Sequence, residues 1–424
     1  MNETTLALVL FFITYMLMIA FQSWRFLVAA GSACIFVTLG MMPLSQVADA
    51  IDWNVLLMLA GTMGTVALFI DSKMPSRIAD LLLSKCRNAQ WAAVSISLFA
   101  GAVSAFVDNV ATVLMIAPVA LAICKKLNTS PVPMLITISV SSNLQGAATL
   151  VGDTTSIMLG GYAHLSFLEF FVLQGRAGIF WAVELGAIAT VPVIMILFRR
   201  DKEPISVPAL TPVKDFFPTY LLLGTVLLLI CASFVPEKPD ITNGVICMAL
   251  CIVGIVRGLI RERSLRVLMT ALREIDYATL SLLAGLFVVI GGITNAGVVD
   301  LIAAQIVRFG GNNPFLMYTM IVWGSVLISA FVDNIPYVAT MLPVVSSIAA
   351  IMNTNPILLY FGLLTGATLG GNLTPIGASA NIAAIGILNR AGYQVTGRDF
   401  MRIGVPFTLT AVTVGYLFNW FLWS

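Results

Sequence analysis

The sequence predicts an all-α polytopic membrane protein that is built from two inverted-topology repeats. Three observations carry this prediction. Of the 424 residues, 59% are hydrophobic and 10% are charged, whereas roughly 25% of the residues of a soluble domain are charged. Apolar runs about as long as a membrane-spanning helix recur along the whole chain. The hexapeptide SAFVDN occurs twice, at 104–109 and at 329–334.

A polar linker divides the chain into two halves with six apolar segments each. The linker (199–216) carries prolines and several charged residues, so it cannot span a membrane. It separates a first repeat (1–198) from a second repeat (217–424). The apolar segments lie near 5–21, 26–43, 54–71, 92–124, 132–173, 177–198, 218–235, 241–258, 277–296, 314–351, 357–388 and 403–422.

Basic residues are concentrated in one alternating set of the segments that connect these runs. This set includes Arg25, the stretch 73–87 and the linker. Because cytoplasmic loops carry an excess of Lys and Arg, we expect this set in the cytoplasm and the N-terminus outside. The assignment holds only if 92–124 and 314–351 are re-entrant hairpins, which enter and leave on the same side. Each half then has about five transmembrane helices, and the odd number of crossings inverts the second half.

The two halves resemble each other at an offset of 225 residues, the separation of Asp108 and Asp333. No gap is needed at this offset between 104 and 157. Homologous, inverted halves are the plan of many secondary transporters. The matched positions include Pro118 with Pro343, Gly146 with Gly371, Thr149 with Thr374, and Gly152 with Gly377.

Each predicted hairpin tip carries an aspartate beside an asparagine in an apolar neighbourhood, namely Asp108 with Asn109 and Asp333 with Asn334. An ionised acid in the middle of a membrane costs roughly 2.5–3.5 kcal/mol on insertion scales, so it needs a positive partner. We therefore expect these four residues, together with Asp153, to bind a coupling proton or sodium ion. The alternative is that each aspartate only caps the half-helix that follows it, and the two roles are compatible.

Small and hydroxyl-bearing residues interrupt the apolar segments 132–173 and 357–388 at matching places, which predicts a broken helix in each. The interrupted stretches are NLQGAATLVGDTTSIMLGG (143–161) and TLGGNLTPIGASANIAAIG (368–386). Paired interruptions of this kind indicate the binding site of a transporter, although small residues also serve close helix packing. The expected substrate-binding residues are Thr112, Thr149, Gly152, Thr154, Thr155, Ser156, Asn372, Thr374, Gly377, Ser379 and Asn381.

Other polar residues in apolar surroundings are weaker indications of function. Glu184 is an isolated acid inside the segment 177–198 and is an accessory proton candidate. Leu409 stands at the equivalent position of the second half, so a helix–helix hydrogen bond is an equal alternative. The six cysteines include no CxxC pair, so we expect neither a disulfide framework nor a structural metal site.

Enzymatic motifs are missing from the sequence. It contains no HExxH zinc motif, no phosphate-binding P-loop and no GxSxG nucleophile turn. We therefore expect no catalytic activity, no cofactor and no nucleic-acid partner. A passive channel is disfavoured because broken helices in inverted repeats serve alternating access.

The tips and the breaks together resemble the ion transporter superfamily. The FVDN tips, GDTTS (152–156) and GGNLTPIGASANI (370–382) are similar to the branch of arsenite permeases and pink-eyed-dilution (P) proteins, which is distantly related to sodium-coupled dicarboxylate symporters. Thr154, Thr155 and Ser156 stand where that branch usually has two prolines and an asparagine. The resemblance implies a plasma-membrane transporter with a scaffold and an elevator-like transport domain. It also implies a homodimer and, by analogy alone, a soluble ATPase partner.

The chemistry of the expected site limits the classes of solute that the protein could transport. The site contains Asp108, Asp153 and Asp333, with no Lys or Arg in either break, so a free multivalent anion would meet a negative cavity. A neutral hydroxide such as arsenous acid, or a bare cation, meets no such penalty. We expect secondary active efflux of arsenite- or antimonite-type metalloids, driven by protons or sodium. The open alternatives are sodium/proton antiport and, further, sodium-coupled symport of a dicarboxylate-like anion.

Overall fold

The computed structural model describes residues 2–204, 210–311 and 313–424. Almost all of the described chain is α-helical, and eight of its helices are long and apolar enough to cross a membrane. The fold-class prediction is therefore confirmed. Part of the predicted linker, 205–209, lies outside the described residues.

Twenty α-helices follow one another in the described residues, ten before the linker and ten after it. The first ten are α1 (Glu3–Ala20), α2 (Arg25–Thr38), α3 (Val47–Ala50), α4 (Trp53–Asp71), α5 (Met74–Ser84), α6 (Ala89–Ser104), α7 (Asn109–Lys126), α8 (Val132–Gly146), α9 (Thr154–Tyr162) and α10 (Ile179–Leu197). The second ten are α11 (Phe217–Ser233), α12 (Thr242–Glu262), α13 (Arg266–Glu274), α14 (Tyr277–Asn295), α15 (Val298–Gly310), α16 (Pro314–Ser329), α17 (Asn334–Met352), α18 (Ile357–Gly370), α19 (Ser379–Arg390) and α20 (Gly397–Trp423). A small antiparallel sheet, β1 (Val172–Leu173) with β2 (Arg176–Ala177), precedes α10.

The repeat that the motifs indicate extends to whole helices. Each of α6 to α9 begins 225 residues before its counterpart among α16 to α19, for example at Ala89 and at Pro314. The contacts are reciprocal as well, because α4 packs along α12 while α14 packs along α2. Helices α10 and α20 pack against each other. Reciprocal packing of this kind is expected from a pseudo-twofold relation between the halves.

Glycines allow the close approach of the helices in both reciprocal pairs. A Cβ atom on Gly61 would lie 2.4 Å from the backbone carbon of Cys247 in α12. One on Gly285 would lie 2.8 Å from the backbone carbon of Ala29 in α2. Small residues let membrane helices pack with their backbones in contact. The two glycines end the related stretches IDWNVLLMLAG and IDYATLSLLAG, which explains why these stretches match.

Packing divides the helices into two groups. The outer group consists of α1–α4 and α11–α14, which pack mainly on one another. The inner group consists of the remaining helices and contains the hairpins and the breaks. The hairpin α6–α7 has its tip at 105–108 and the hairpin α16–α17 has its tip at 330–333. The helices α8 and α9 are separated by a break at 147–153, and α18 and α19 by a break at 371–378.

Short elements between the apolar segments were not expected from the sequence. α9 ends at Tyr162, and a 3₁₀ turn and the small sheet follow where the prediction extended the segment to 173. Helices α5, α13 and α15 also lie outside the predicted segments, with 11, 9 and 13 residues respectively. Because each is short and carries charged residues, a search for apolar runs of spanning length does not detect it.

Ion pairs attach the described part of the linker to α4 and α12. Asp215 Oδ2 lies 2.6 Å from Arg257 Nη1 and 2.5 Å from Arg261 Nη1. Lys214 Nζ lies 2.9 Å from Asp71 Oδ1 in α4. Burial alone would raise the pKa of Asp215, but the hydrogen bonds from the two arginines hold this pKa below its ordinary value.

Replacing Asp215 by Asn should destabilise the protein only where the native carboxylate is ionised. A carboxyl whose pKa is lowered on folding stabilises the fold above its unfolded pKa of about 4, and this effect is lost as the pH falls through the folded value. We expect Asp215→Asn to unfold at a lower temperature than the parent protein near pH 7, with a smaller difference in high salt.

Thermal unfolding in detergent at a series of pH values measures this effect, with the exposed Asp49→Asn as the control. The difference between Asp215→Asn and the parent should shrink below about pH 4. A difference that stays the same from about pH 7 down to about pH 3 would show that the ion pairs contribute nothing.

Candidate functional site

The hairpin tip of the first half ends at Asp108, which caps α7. One carboxylate oxygen, Oδ2, accepts hydrogen bonds from the backbone N–H groups of Val110 (2.9 Å) and Ala111 (3.1 Å). The half-helix thus begins with two of its free amide groups satisfied. Asp108 also lines an internal cavity, so the capping role and a binding role coexist in one side chain.

The break of the first half places a second acid beside the tip of the other hairpin. Asp153 caps α9 by accepting a hydrogen bond from the backbone N–H of Thr154 (2.8 Å). Its other oxygen accepts hydrogen bonds from the Thr155 hydroxyl (2.8 Å) and from Asn334 Nδ2 (3.4 Å). Asp153 is only 6% exposed. A carboxylate from one half and an amide from the other therefore share one buried position.

A chain of buried amides joins the two halves behind these acids. Asn109 accepts a hydrogen bond from the Ser104 hydroxyl (2.7 Å) and donates one to Asn143 Oδ1 (3.1 Å). Asn143 Nδ2 in turn donates to the Thr368 carbonyl (2.6 Å) and to Asn372 Oδ1 (3.0 Å). Since every member is hydrogen-bonded, the chain fixes the tip of one hairpin relative to both breaks.

The cavity has a volume of about 140 Å³ and lies between the first tip, the first break and the start of α14. Four acids line it, and no Lys, Arg or His is among the described residues that do so. Amide and hydroxyl groups supply the rest of its polar lining. The acids are Asp108, Asp153, Glu274 and Asp276, and the other polar residues are Asn109, Asn143, Thr154, Thr279, Asn334 and Ser379.

The equivalent position in the second half has a different electrostatic character. Asp333 caps α17 through the backbone N–H of Ile335 (3.0 Å), as Asp108 caps α7. However, Asp333 Oδ2 lies 2.5 Å from Arg25 Nη1 and also accepts a hydrogen bond from Ser379 (3.2 Å). Ala378 occupies the position that matches Asp153. The tip and the break of the first half thus present two acids to the cavity, whereas Asp333 of the second tip does not line it and is paired with an arginine.

Two of the predicted substrate-binding threonines hydrogen-bond to the hairpin tips. The Thr149 hydroxyl donates a hydrogen bond to the carbonyl of Ala105 in the first tip. The Thr374 hydroxyl donates in the same way to Ala330 in the second tip. Neither threonine lines the acidic cavity. Their match across the repeat therefore reflects a structural requirement, because each tip has carbonyls that no helix satisfies.

Two of the predicted glycines serve the same contact between tip and break. A Cβ atom on Gly152 would lie 2.9 Å from the carbonyl oxygen of Ala105. One on Gly377 would lie 2.7 Å from the carbonyl oxygen of Ser329. These positions exclude any side chain because the backbone of the tip passes directly over the break.

The remaining predicted site residues divide between the cavity and the interior. Thr154 and Ser379 line the cavity, and their role in substrate binding stays a prediction. Five others are buried and hydrogen-bond within the protein, so they shape the breaks and tips and do not line the cavity. These are Thr112 (to Val107 O), Thr155 (to Asp153), Ser156 (to Gly146 O), Asn372 (to Val140 O) and Asn381 (to Gly371 O and from Ser139).

Glu184 lies on α10, which packs against α20, and it is not among the residues that line the cavity. Its proton role therefore stays a prediction.

The sequence motifs did not indicate Arg25, Asn143 and Glu274 as site residues. Asn143 begins the interrupted stretch, so its place there was a usable signal. Arg25 begins α2 and Glu274 ends α13, both far from the tips and breaks in sequence, so only the packing of the outer helices brings them to the site.

The CitMHS citrate transporter family model matches this chain at residues 15–260 and 241–424. The chain belongs to the CitMHS family.

The 46 kDa membrane protein of Mycobacterium leprae is 30% identical to this chain over 98% of both chains. The uncharacterized transporter Rv2685 of Mycobacterium tuberculosis is 32% identical over 87% of this chain and 86% of its own. The human P protein is 26% identical, over 88% of this chain and 54% of the P protein. The resemblance that the motifs indicated is thereby confirmed.

Solved transporter structures share the fold of this CitMHS protein. The structure of the Alcanivorax borkumensis YdaH transporter aligns with 99% of this chain and 98% of the YdaH chain, at a TM-score of 0.61 and 13% sequence identity. Neisseria gonorrhoeae MtrF, described with a class of antimetabolite efflux pumps, matches 99% of the chain with 94% of its own, at a TM-score of 0.56 and 14% identity. The protein is a membrane-embedded, multi-pass secondary transporter of the CitMHS type.

Thr149→Val and Thr374→Val should each destabilise the CitMHS protein by about 1–3 kcal/mol, because each deprives a buried carbonyl of a hydrogen-bond donor. The matched control is Thr410→Val, since the Thr410 hydroxyl only bonds back to Pro406 in its own helix. Thermal unfolding in lipid nanodiscs measures the differences. If both tip variants unfold at the same temperature as the control, the threonines do not hold the tips.

Proposed function

We propose that the protein is a cation-coupled efflux transporter of small neutral metalloid hydroxides of the arsenite and antimonite type. Asp108 and Asp153 bind the coupling proton or sodium ion. The acidic cavity carries this proposal, since four acids and no described basic residue line it. Two carboxylates in a low-dielectric cavity repel each other unless a positive charge binds between them.

The polar lining suits a neutral, hydroxyl-bearing solute. Asn109, Asn143 and Asn334 offer amide groups that both donate and accept hydrogen bonds. Thr154 and Ser379 add hydroxyl groups. A neutral hydroxide can hydrogen-bond to those atoms of these groups that the internal hydrogen bonds leave available, without adding to the negative charge. A volume of about 140 Å³ accommodates a solute of this size or a cation, and the two would occupy the cavity in turn during exchange.

The division of the helices supports an elevator-like movement. The inner group is tied together by polar contacts between halves, such as Asn143 with Asn372 and Ser139 with Asn381. Glycine-mediated packing holds the outer pairs α4–α12 and α2–α14 together. An inner group that carries both hairpin tips and both breaks can move as one body against an outer scaffold that completes the lining of the cavity. The orientation with the N-terminus outside, the homodimer and the ATPase partner stay predictions.

A second candidate function is transport of citrate as a cation complex. It is favoured by the family, whose model is that of a citrate transporter. Free citrate carries several negative charges and would face four acids in the cavity. A citrate that arrives with a bound divalent cation, or after sodium has bound, avoids most of that repulsion. Sodium/proton antiport without any solute remains the alternative that the Asp108–Asp153 pair alone would serve.

Flux into proteoliposomes with imposed proton or sodium gradients tests these functions. Arsenite, antimonite, citrate with and without magnesium, and sodium/proton exchange are compared on the same vesicles. We expect saturable, gradient-driven flux of the neutral hydroxides. Flux of citrate only with magnesium would favour the second candidate, and exchange of sodium for protons without a solute would favour antiport. Flux that does not depend on either the proton or the sodium gradient would contradict cation coupling.

Asp108→Asn and Asp153→Asn should each lower gradient-driven flux by about tenfold or more, since each removes one of the two carboxylates that hold the cation. The exposed Asp49→Asn is the control and should transport like the parent protein. Monodisperse protein of normal yield in each variant separates loss of coupling from loss of folding. Unchanged gradient-driven flux in both acid variants would exclude this pair as the coupling site.

A further inference from the structure

An ion pair joins the outer helices to the inner helices at the second hairpin tip. Arg25 begins α2, and its Nη1 lies 2.5 Å from Asp333 Oδ2. The two side chains are 24% and 12% exposed, so the pair is partly shielded from solvent. Asp276, at the start of α14, is a second acid that interacts with Arg25. Next to the pair, the Tyr15 hydroxyl of α1 also contacts α17.

The pseudo-twofold relation identifies the counterpart of Arg25. Gly285 approaches the backbone of Ala29, and its counterpart Gly61 approaches the backbone of Cys247, so Cys247 corresponds to Ala29. Arg25 stands four residues before Ala29, and Asn243 stands four residues before Cys247. The counterpart of this arginine is therefore a neutral, buried asparagine.

A second pair of contacts confirms this correspondence. Gly292 packs against Phe36, with a Cβ atom 2.5 Å from Cδ1 of the ring. Gly254 packs against Leu68, with a Cβ atom 2.7 Å from Cδ1. On each of the four helices, the residue of the second contact lies seven residues after the residue of the first contact. The register between α2 and α12 is thus the same at both places.

Inverted repeats can exchange their conformations, and this exchange produces the second state of alternating access. In that state Asp108 takes the position beside Asn243 that Asp333 now takes beside Arg25. Asp333 at the same time moves away from Arg25. An asparagine cannot form an ion pair, so the arginine interacts with a tip aspartate in one of the two states only.

We propose that Arg25 is a positioning residue that makes the present arrangement of the inner helices the resting state. This inference rests on the proposed function only in assuming that the inner group moves against the outer group. A contact shifts an equilibrium between two states only if its free energy differs between them. The Arg25–Asp333 pair meets this condition because Asn243 offers no equivalent interaction to Asp108.

Distances between spin labels on the outer and the inner group test the role of Arg25. Labels carried by non-canonical amino acids at Leu44 and Ile351 leave the native cysteines untouched, and both positions are exposed. Leu44 follows α2 in the outer group, and Ile351 lies near the end of α17 in the inner group. Double electron–electron resonance in nanodiscs, without solute or gradient, then reports the two populations.

We expect one main distance in the parent protein and a second distance in Arg25→Gln. The ratio of the two populations should change by about tenfold, a typical coupling between conformations. Arg25→Lys keeps the charge and should stay close to the parent. Asn243→Arg should populate the second distance by supplying the missing partner for Asp108. The double variant Arg25→Gln/Asn243→Arg should make the second distance dominant.

An unchanged distance distribution in both Arg25→Gln and Asn243→Arg would overturn the proposal. If Arg25→Gln fails to fold, Asn243→Arg alone decides, because a merely structural arginine would not respond to a new charge on the opposite helix. The outcome is independent of the coupling ion. Shifted distances without cation-coupled flux would exclude the proposed function alone, and cation-coupled flux with fixed distances would exclude the role of Arg25 alone.

Discussion

The structure depends on one constraint, which is that broken backbone and carboxylates at membrane depth must find their partners inside the protein. Each hairpin tip satisfies this constraint in the same way. An aspartate caps the following half-helix, a threonine from the break binds a tip carbonyl, and a glycine lets the tip cross the break. These contacts bind tip and break into one unit in each half. The cavity lies beside the unit of the first half, where this unit faces α4 and the starts of α14, α17 and α19.

Symmetry explains the framework, and departures from symmetry explain the chemistry. Asp153 has Ala378 as its counterpart, so only the break of the first half contributes an acid to the cavity. Arg25 has Asn243 as its counterpart, so only the tip of the second half meets a basic residue among the described residues. Among the tips and breaks, negative charge without a basic partner in the described residues therefore lies in the first half. A single cation position follows from this distribution more directly than two equivalent positions do.

Local signals explain how much of this could be predicted from the sequence. The apolar runs, the repeated FVDN tips and the paired glycines predict the hairpins and the breaks, because membrane burial leaves few other arrangements. The same repetition places Thr149, Thr374 and the matching glycines in the predicted substrate site; in the structure the threonines hydrogen-bond to the backbone of the tips and the glycines pass close to it. Arg25 and Glu274 could not be placed, since their roles depend on contacts between helices far apart in sequence.

Infrared difference spectroscopy of the carboxyl groups, on purified protein exposed to changes in pH or sodium, tests whether Asp108 and Asp153 bind the coupling cation. We expect a carboxyl signal that responds to the coupling cation and is lost in Asp108→Asn and in Asp153→Asn. The same signal should persist in Asp333→Asn, because the arginine already compensates that acid. A cation-dependent signal that is lost in Asp333→Asn and retained in the other two variants would contradict the account.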